Sequence, residues 1–223
     1  MQPINGNDKL SNENTLYVAG SDGGKTSAVQ KLGRIKPTDQ VVFWDPHKSF
    51  KQIQGRVVRR YTTFGSFFKA LRAGRATKQG FKIALTVPED RAYFLKFLTA
   101  VKGFGDGLHP KRLHVVCEEV PEVTETVGRD NTVFGWFMRI GRKYGFIMHC
   151  IGQRVVEMSK TITSQCPYKW VGIQHSLDDA KRMSKEIDVS LADIVALNKL
   201  EYYFKSPGMG NVVKSKLVFK KAA

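Results

Sequence analysis

The chain has 223 residues, with 36 Lys and Arg against 20 Asp and Glu, a net charge of +16. A hydrophobic content of 42% is enough to bury a core and excludes wholesale disorder. No run approaches the roughly 18 apolar residues of a membrane span, and the first residues contain no apolar signal region, so a secreted or membrane-spanning protein is not expected. Cys117, Cys150 and Cys166 are odd in number, widely spaced and without a C-x-x-C pair, which argues against a disulfide framework or zinc site. Cys117 and Cys150 sit in apolar runs and read as buried structural thiols.

In chain order, residues 1–14 read as a flexible polar lead, and 15–223 as a single domain. Short β-branched apolar runs predict strands over 15–19, 41–44, 56–60, 82–86, 113–117, 146–151 and 168–173. Helical patterns fall at 25–32, 64–73, 89–101, 131–143 and 177–187. Strands alternating with helices of this length predict an α/β fold, a mainly parallel sheet with helices on both faces. Near the end, 200–205 and 212–219 flank Ser206-Pro207-Gly208-Met209-Gly210-Asn211 and predict an antiparallel hairpin.

The strongest local signal is Ala19-Gly20-Ser21-Asp22-Gly23-Gly24-Lys25-Thr26-Ser27, which follows a strand and opens a helix. Glycines let backbone N–H groups turn toward phosphate oxygens, and the new helix aims its positive end at them. Lys25 is placed to reach the β- and γ-phosphates of ATP, and the Thr26 hydroxyl to ligate Mg²⁺. The usual G-x-x-x-x-G-K-[ST] pattern has glycine where this chain has Ala19, and Gly20 comes one place late. A chance Gly-rich turn before a lysine is the alternative.

The predicted strand 113–117 ends in Glu118-Glu119. Desolvating paired carboxylates costs several kcal/mol, so such a strand end is expected to work. Glu118 is the candidate for holding Mg²⁺ and Glu119 for polarising the attacking water. An acidic strand end that merely caps a helix is the alternative. The next strand ends at Gln153-Arg154, where a glutamine can sense the γ-phosphate or orient water, or simply leave the strand. Arg142, in Gly141-Arg142-Lys143-Tyr144-Gly145, can reach a neighbouring subunit's site as an arginine finger, though a lone arginine is more often a surface residue.

The bases are unevenly spread. Between Asp45 and Glu89 lie Lys48, Lys51, Arg56, Arg59, Arg60, Lys69, Arg72, Arg75, Lys78 and Lys82 with no acid among them. After Glu201 come Lys205, Lys214, Lys216, Lys220 and Lys221. A solvated charged face is one reading of such blocks; contact with a polyanion is the better one. Arg59, Arg60, Arg72, Arg75 and Lys78 are the candidate phosphate contacts.

Taken together, the Gly-rich loop, a second strand ending in Asp45-Pro46, the Glu-Glu strand, the 141–145 turn and Gln153-Arg154 resemble, over roughly residues 15–205, the HerA/FtsK superfamily of DNA-pumping ATPases. That resemblance implies a RecA-like P-loop NTPase core of the ASCE type, rings of identical subunits, and translocation of double-stranded DNA. By position it implies Lys25 and Thr26 as the phosphate-binding pair, Glu119 as the catalytic acid, Gln153 as sensor and Arg142 as the trans-acting arginine. Size, charge and the absence of a membrane anchor or accessory domain make the chain look most like the genome-packaging ATPases of tailless icosahedral double-stranded DNA viruses, including those with an internal membrane. Implied with it are capsid-vertex or portal partners and a place in the host cytoplasm and virion. Other pumps of the superfamily, for plasmid or filamentous-phage export, are alternatives. A P-loop small-molecule kinase would need no +16 charge, and a non-catalytic DNA-binding or vertex protein would not explain Lys25, Glu118 and Glu119.

Overall fold

The computed structural model describes residues 2–124 and 129–219. Its elements run β1 (Thr15–Val18), α1 (Lys25–Lys31), β2 (Gln40–Trp44), β3 (Gln52–Ile53), β4 (Arg56–Val57), β5 (Arg59–Tyr61) and α2 (Phe64–Arg75). Then come β6 (Phe81–Leu85), α3 (Arg91–Lys102), β7 (Leu113–Cys117), α4 (Val120–Val123), α5 (Val133–Ile140), β8 (Phe146–Gly152), α6 (Lys160–Gln165), β9 (Tyr168–Val171), α7 (Leu177–Ile187) and α8 (Leu191–Val195). The chain closes with β10 (Glu201–Lys205) and β11 (Val212–Lys216).

Nine strands form one sheet in the order β11-β10-β9-β1-β8-β7-β2-β6-β5. From β9 to β5 the pairs are parallel; β10 runs antiparallel to β9, and β11 antiparallel to β10. The expected mainly parallel sheet with a terminal hairpin is therefore what forms. Its central strands β1, β2, β7 and β8 are buried on both sides, as a doubly covered sheet requires. Leu16 and Val18 of β1 face the larger core with Val42 and Trp44 of β2, while Tyr17, Ala19, Val41 and Phe43 face the smaller one. Residues of α2, α3, α5, α6 and α7 build the larger core. The smaller core is covered by α1, with Phe50, Ile53, Val58 and Leu217 from the β3–β4 hairpin region and the tail.

Polar groups on the buried sheet faces are joined to one another. Tyr17 Oη lies 3.2 Å from His149 Nδ1, His149 Nε2 lies 2.9 Å from His114 Nδ1, and His114 Nε2 reaches Asp39 at 3.4 Å. One direction of donation, Tyr17 to His149 to His114 to Asp39, satisfies every member with both imidazoles neutral. Burial holds His114 down to about 3 and His149 well below the ordinary histidine range.

Three differences from the sequence reading have local causes. The expected strand 56–60 is cut in two: β4 pairs with β3 in a separate hairpin, Val58 turns inward into the core, and only β5 joins the main sheet. The expected helix 131–143 stops at Ile140 and tightens into a 3₁₀ turn over Gly141–Tyr144, closed by Gly145 in the left-handed region (φ 78°).

The N-terminal lead, expected to be flexible, is instead bonded across the edge where the parallel strands begin. Ile4 N–H donates to Gly105 O, Asn7 N–H to Lys143 O, and Asn12 Nδ2 to Gln165 O. Asn14, almost wholly buried, accepts the Met148 N–H at 2.9 Å. Two of the asparagines that make the segment look solvated, Asn12 and Asn14, are spent on backbone groups of helices and strands, while Asn5 bonds the Asp106 carboxylate and Asn7 the Gly107 carbonyl. All three cysteines are free and buried. Among the described residues no helix is long and apolar enough to cross a membrane.

Candidate nucleotide site

The parallel strands deliver the sequence motifs to their C-terminal edge. The Gly-rich loop leaves β1 and enters α1, whose cap Gly24 is left-handed (φ 92°) and offers no side chain to the first helical N–H groups. Those donors remain free for an anion. Ala19, at the place where the pattern has glycine, keeps ordinary backbone angles and is fully buried. Its methyl has displaced the demand for glycine elsewhere: a Cβ on Gly23 would lie 2.7 Å from it, and one on Gly172 would lie 3.0 Å from it. At Gly20 a Cβ would collide with the His175 ring at 2.0 Å.

Lys25 folds back over the loop, donating through Nζ to Ala19 O (3.0 Å) and Gly20 O (3.2 Å). Burial lowers its pKa, and the carboxylates of Glu119, Glu118 and Asp22 oppose that shift. The lysine therefore sits in the field of three acids. Glu118 follows β7, where its N–H donates to Trp44 O, and its side chain is buried. Desolvation first, and then the neighbouring Asp45 and Glu119, push its carboxyl up to about 8, against a hydrogen bond from Ser49. Its Oε2 is buried without a hydrogen-bond partner among the described residues. Asp45 is occupied: it accepts from the N–H groups of Ser49 (2.7 Å) and Phe50 (3.3 Å) and lies 3.6 Å from Arg60.

Glu119 stands in the left-handed region (φ 44°), an uncommon place for a residue with a side chain. That turn ends the strand and starts α4. Gln153, just past β8, donates through Nε2 to Glu119 Oε1 at 3.2 Å. The contact is a consequence of sheet order. β8 lies between β1 and β7, so Gln153 emerges between the loop and the acids.

A cavity of about 460 Å³ opens at the loop, lined by Asp22, Gly23, Gly24, Lys25, Thr26 and Ser27 on one side and Lys199, Leu200 and Phe219 on the other. At the start of the loop, His175 packs against Gly20, and its Nε2 lies 3.3 Å from Ser21 O. His175, Leu200 and Phe219 belong to no motif. They reach the loop because β9 pairs with β1, β10 with β9 and β11 with β10, a relation that no local pattern encodes.

Arg142 lies elsewhere. The 3₁₀ turn precedes β8, at the sheet edge opposite the loop, and its guanidinium donates to the carbonyls of Asp8 and Leu10. It stands at the end of β8 opposite Gln153, away from Lys25.

The candidate phosphate contacts divide. Arg59, Arg72 and Lys78 are exposed, and Arg59 lines a groove of about 560 Å³ beside the edge strand β5 together with Arg56. Arg75 is not available: it is buried and donates to Gln40 Oε1 (2.6 Å), Lys111 O (2.9 Å) and Phe104 O (3.2 Å). Burial lowers its pKa to about 10. Arg60 is likewise committed, donating to Phe50 O and Lys48 O and facing Asp45. Lys82, from the same basic stretch, is buried against the carbonyls of Lys36 and Asp39. Lys220 and Lys221 lie outside the described residues.

No protein-family model matches the chain. Over 219 residues, 95% of this chain and 93% of the relative, it is 26% identical to Protein P9 of Pseudoalteromonas phage PM2. The genome packaging NTPase B204 of Sulfolobus turreted icosahedral virus 2, solved with AMPPCP, superimposes with a TM-score of 0.71 at 10% identity, covering 94% of this chain and 99% of that one. The bacterial conjugative coupling protein TrwBΔN70 superimposes with a TM-score of 0.68 at 12% identity, covering 100% of this chain and 89% of that one. By fold, then, the chain is similar to the genome packaging NTPase B204 and to the coupling protein TrwB, and in sequence it resembles Protein P9 of phage PM2.

Proposed function

We propose that the protein is an Mg²⁺-dependent ATP hydrolase that pumps double-stranded DNA, packaging a viral genome into a preformed capsid. The observation that carries this reading is the meeting of Lys25, Glu118, Glu119 and Gln153 at one sheet edge, with Gln153 bonded to Glu119. Neither a plain DNA-binding protein nor a chance Gly-rich turn accounts for it.

Lys25 and the N–H groups at the start of α1 hold the β- and γ-phosphates. Lys25 exchanges its two loop carbonyls for phosphate oxygens, so its charge is poised but not yet spent. Glu119 accepts the proton of the attacking water, and Gln153 fixes the rotamer of that carboxylate while its carbonyl oxygen faces the water. The oxygen donors Thr26 and Glu118 suit a hard cation, and the unpartnered Glu118 Oε2 gives that cation a place. Mg²⁺, when bound, neutralises charge developing on the phosphate oxygens. Arg142 acts in a neighbouring subunit of a homo-oligomeric ring, which fits its position at the edge opposite its own loop. Arg59, Arg72 and Lys78 contact the DNA backbone without reading sequence.

The packaging NTPase B204 supports the packaging role in particular, since the chain spans nearly the whole of it, and Protein P9, which the chain also spans almost fully, is likewise a phage protein. Capsid-vertex or portal proteins are the attachment partners this role calls for, in the host cytoplasm and then the virion. TrwB favours a second reading, conjugative DNA export by the same engine. Mixing two inactive variants tests the shared site. Lys25→Ala and Arg142→Ala are each expected to lose at least about 100-fold in turnover, and their mixture to regain a measurable fraction, because some interfaces then carry both wild-type residues. A mixture as inactive as its components contradicts a role for Arg142 in trans.

A further inference from the structure

We propose that Leu200 and Phe219 form the platform on which the nucleobase of the bound triphosphate lies; the proposal rests on the nucleotide reading above. The 460 Å³ cavity has two unlike walls. The loop from Asp22 to Ser27 offers backbone donors, an ammonium and two hydroxyls, all suited to phosphate and ribose. The opposite wall sets the apolar side chains of Leu200 and Phe219 beside Lys199, and the volume falls within the usual ~300–1,000 Å³ of small-molecule sites.

Two observations show that this wall is built. Leu200 is held in the left-handed region (φ 69°), which brings its side chain over the loop. A Cβ on Gly24 would lie 3.0 Å from Leu200 Cδ2 and 3.1 Å from Leu217 Cδ1. The tail is tied down beside it: Leu217 N–H donates to Leu200 O at 2.9 Å, and Lys31 Nζ donates to Val218 O at 2.7 Å. That same lysine places its ammonium 4.0 Å from the centroid of the Phe219 ring. The ring is held by α1 on one side yet remains 48% exposed at the cavity mouth. A flat, half-covered aromatic at the end of a phosphate-binding loop is suited to stacking on a base, and every base presents a π-face.

The test is calorimetric titration of the full chain with a non-hydrolysable ATP analogue and, separately, with inorganic tripolyphosphate. Phe219→Ala is expected to weaken the analogue about tenfold while leaving tripolyphosphate within about twofold, and Phe219→Trp to retain the analogue. Unchanged affinity for the analogue in Phe219→Ala overturns the platform. So does equal weakening of both ligands, which assigns the tail to supporting the loop. Wild-type protein that binds the two ligands equally well overturns the platform alone. Wild-type protein that binds neither overturns the nucleotide reading, and the platform with it.

Discussion

Glu119 and Gln153 each have an ordinary existence in the sequence, and their meeting gives the site its chemical sense. Gln153→Ala leaves the carboxylate free to rotate and is expected to lower kcat at least about tenfold with little change in KM, as steady-state kinetics would show. A selective rise in KM would instead make Gln153 a ground-state binding residue. The buried Tyr17–His149–His114–Asp39 chain gives a second prediction at this scale. Both histidines have folded pKa values below the ordinary 6.5, so the unfolded chain binds more protons below that pH. Their contribution to stability is complete above about pH 6.5 and is lost as pH falls toward 3, at a slope of at most about 2.7 kcal/mol per unit for two protons. Thermal melts from pH 7.5 to 5 should show this fall, and His114→Gln should reduce it. An equally steep fall in the variant would place the acid sensitivity elsewhere. Arginine shows the limit of reading residues singly. Arg59 and Arg60 are neighbours in a basic run, yet one is exposed and the other is spent on two carbonyls and Asp45.

Among the elements, most strands and the long helices were legible because their apolar periods are long enough to count. The short helices α4, α6 and α8 were not, since four to six residues hold barely one turn or two of any pattern. The loop, the acids and Gln153 were legible as motifs, but their convergence depends on β8 lying between β1 and β7, a nonlocal fact. Ala19 shows how a departure from the motif is absorbed: its methyl fills space that Gly23 and Gly172 leave open. Gly23→Ala therefore brings two methyls together and is expected to weaken ATP binding at least about tenfold, measured by titration, with the fold intact by circular dichroism. The N-terminal lead was misread because asparagine-rich segments look solvated. Asn14→Ala leaves the Met148 N–H inside β8 without its acceptor, and chemical denaturation should show a loss of about 1–3 kcal/mol. A loss near zero would mean that the segment is not part of the folded unit.

For the whole molecule, a charge of +16 on a two-faced α/β sheet signals a polyanion, but the fold decides which cations are free to meet it. Arg59→Ala, Arg72→Ala and Lys78→Ala should each reduce the salt dependence of DNA affinity by about one unit of slope without lowering the melting temperature. Substituting Arg75, which ties Gln40, Phe104 and Lys111 together, should instead cost stability. The central claim is that ATP is hydrolysed at a site shared between copies of this chain and driven by DNA. The most direct measurement is ATP turnover by the purified protein over a range of protein concentrations, with and without linear double-stranded DNA, beside Lys25→Ala. Turnover that rises cooperatively with concentration, is stimulated by DNA and vanishes in Lys25→Ala is the predicted result. Turnover per subunit that is independent of concentration and indifferent to DNA, or that survives in Lys25→Ala, would contradict it.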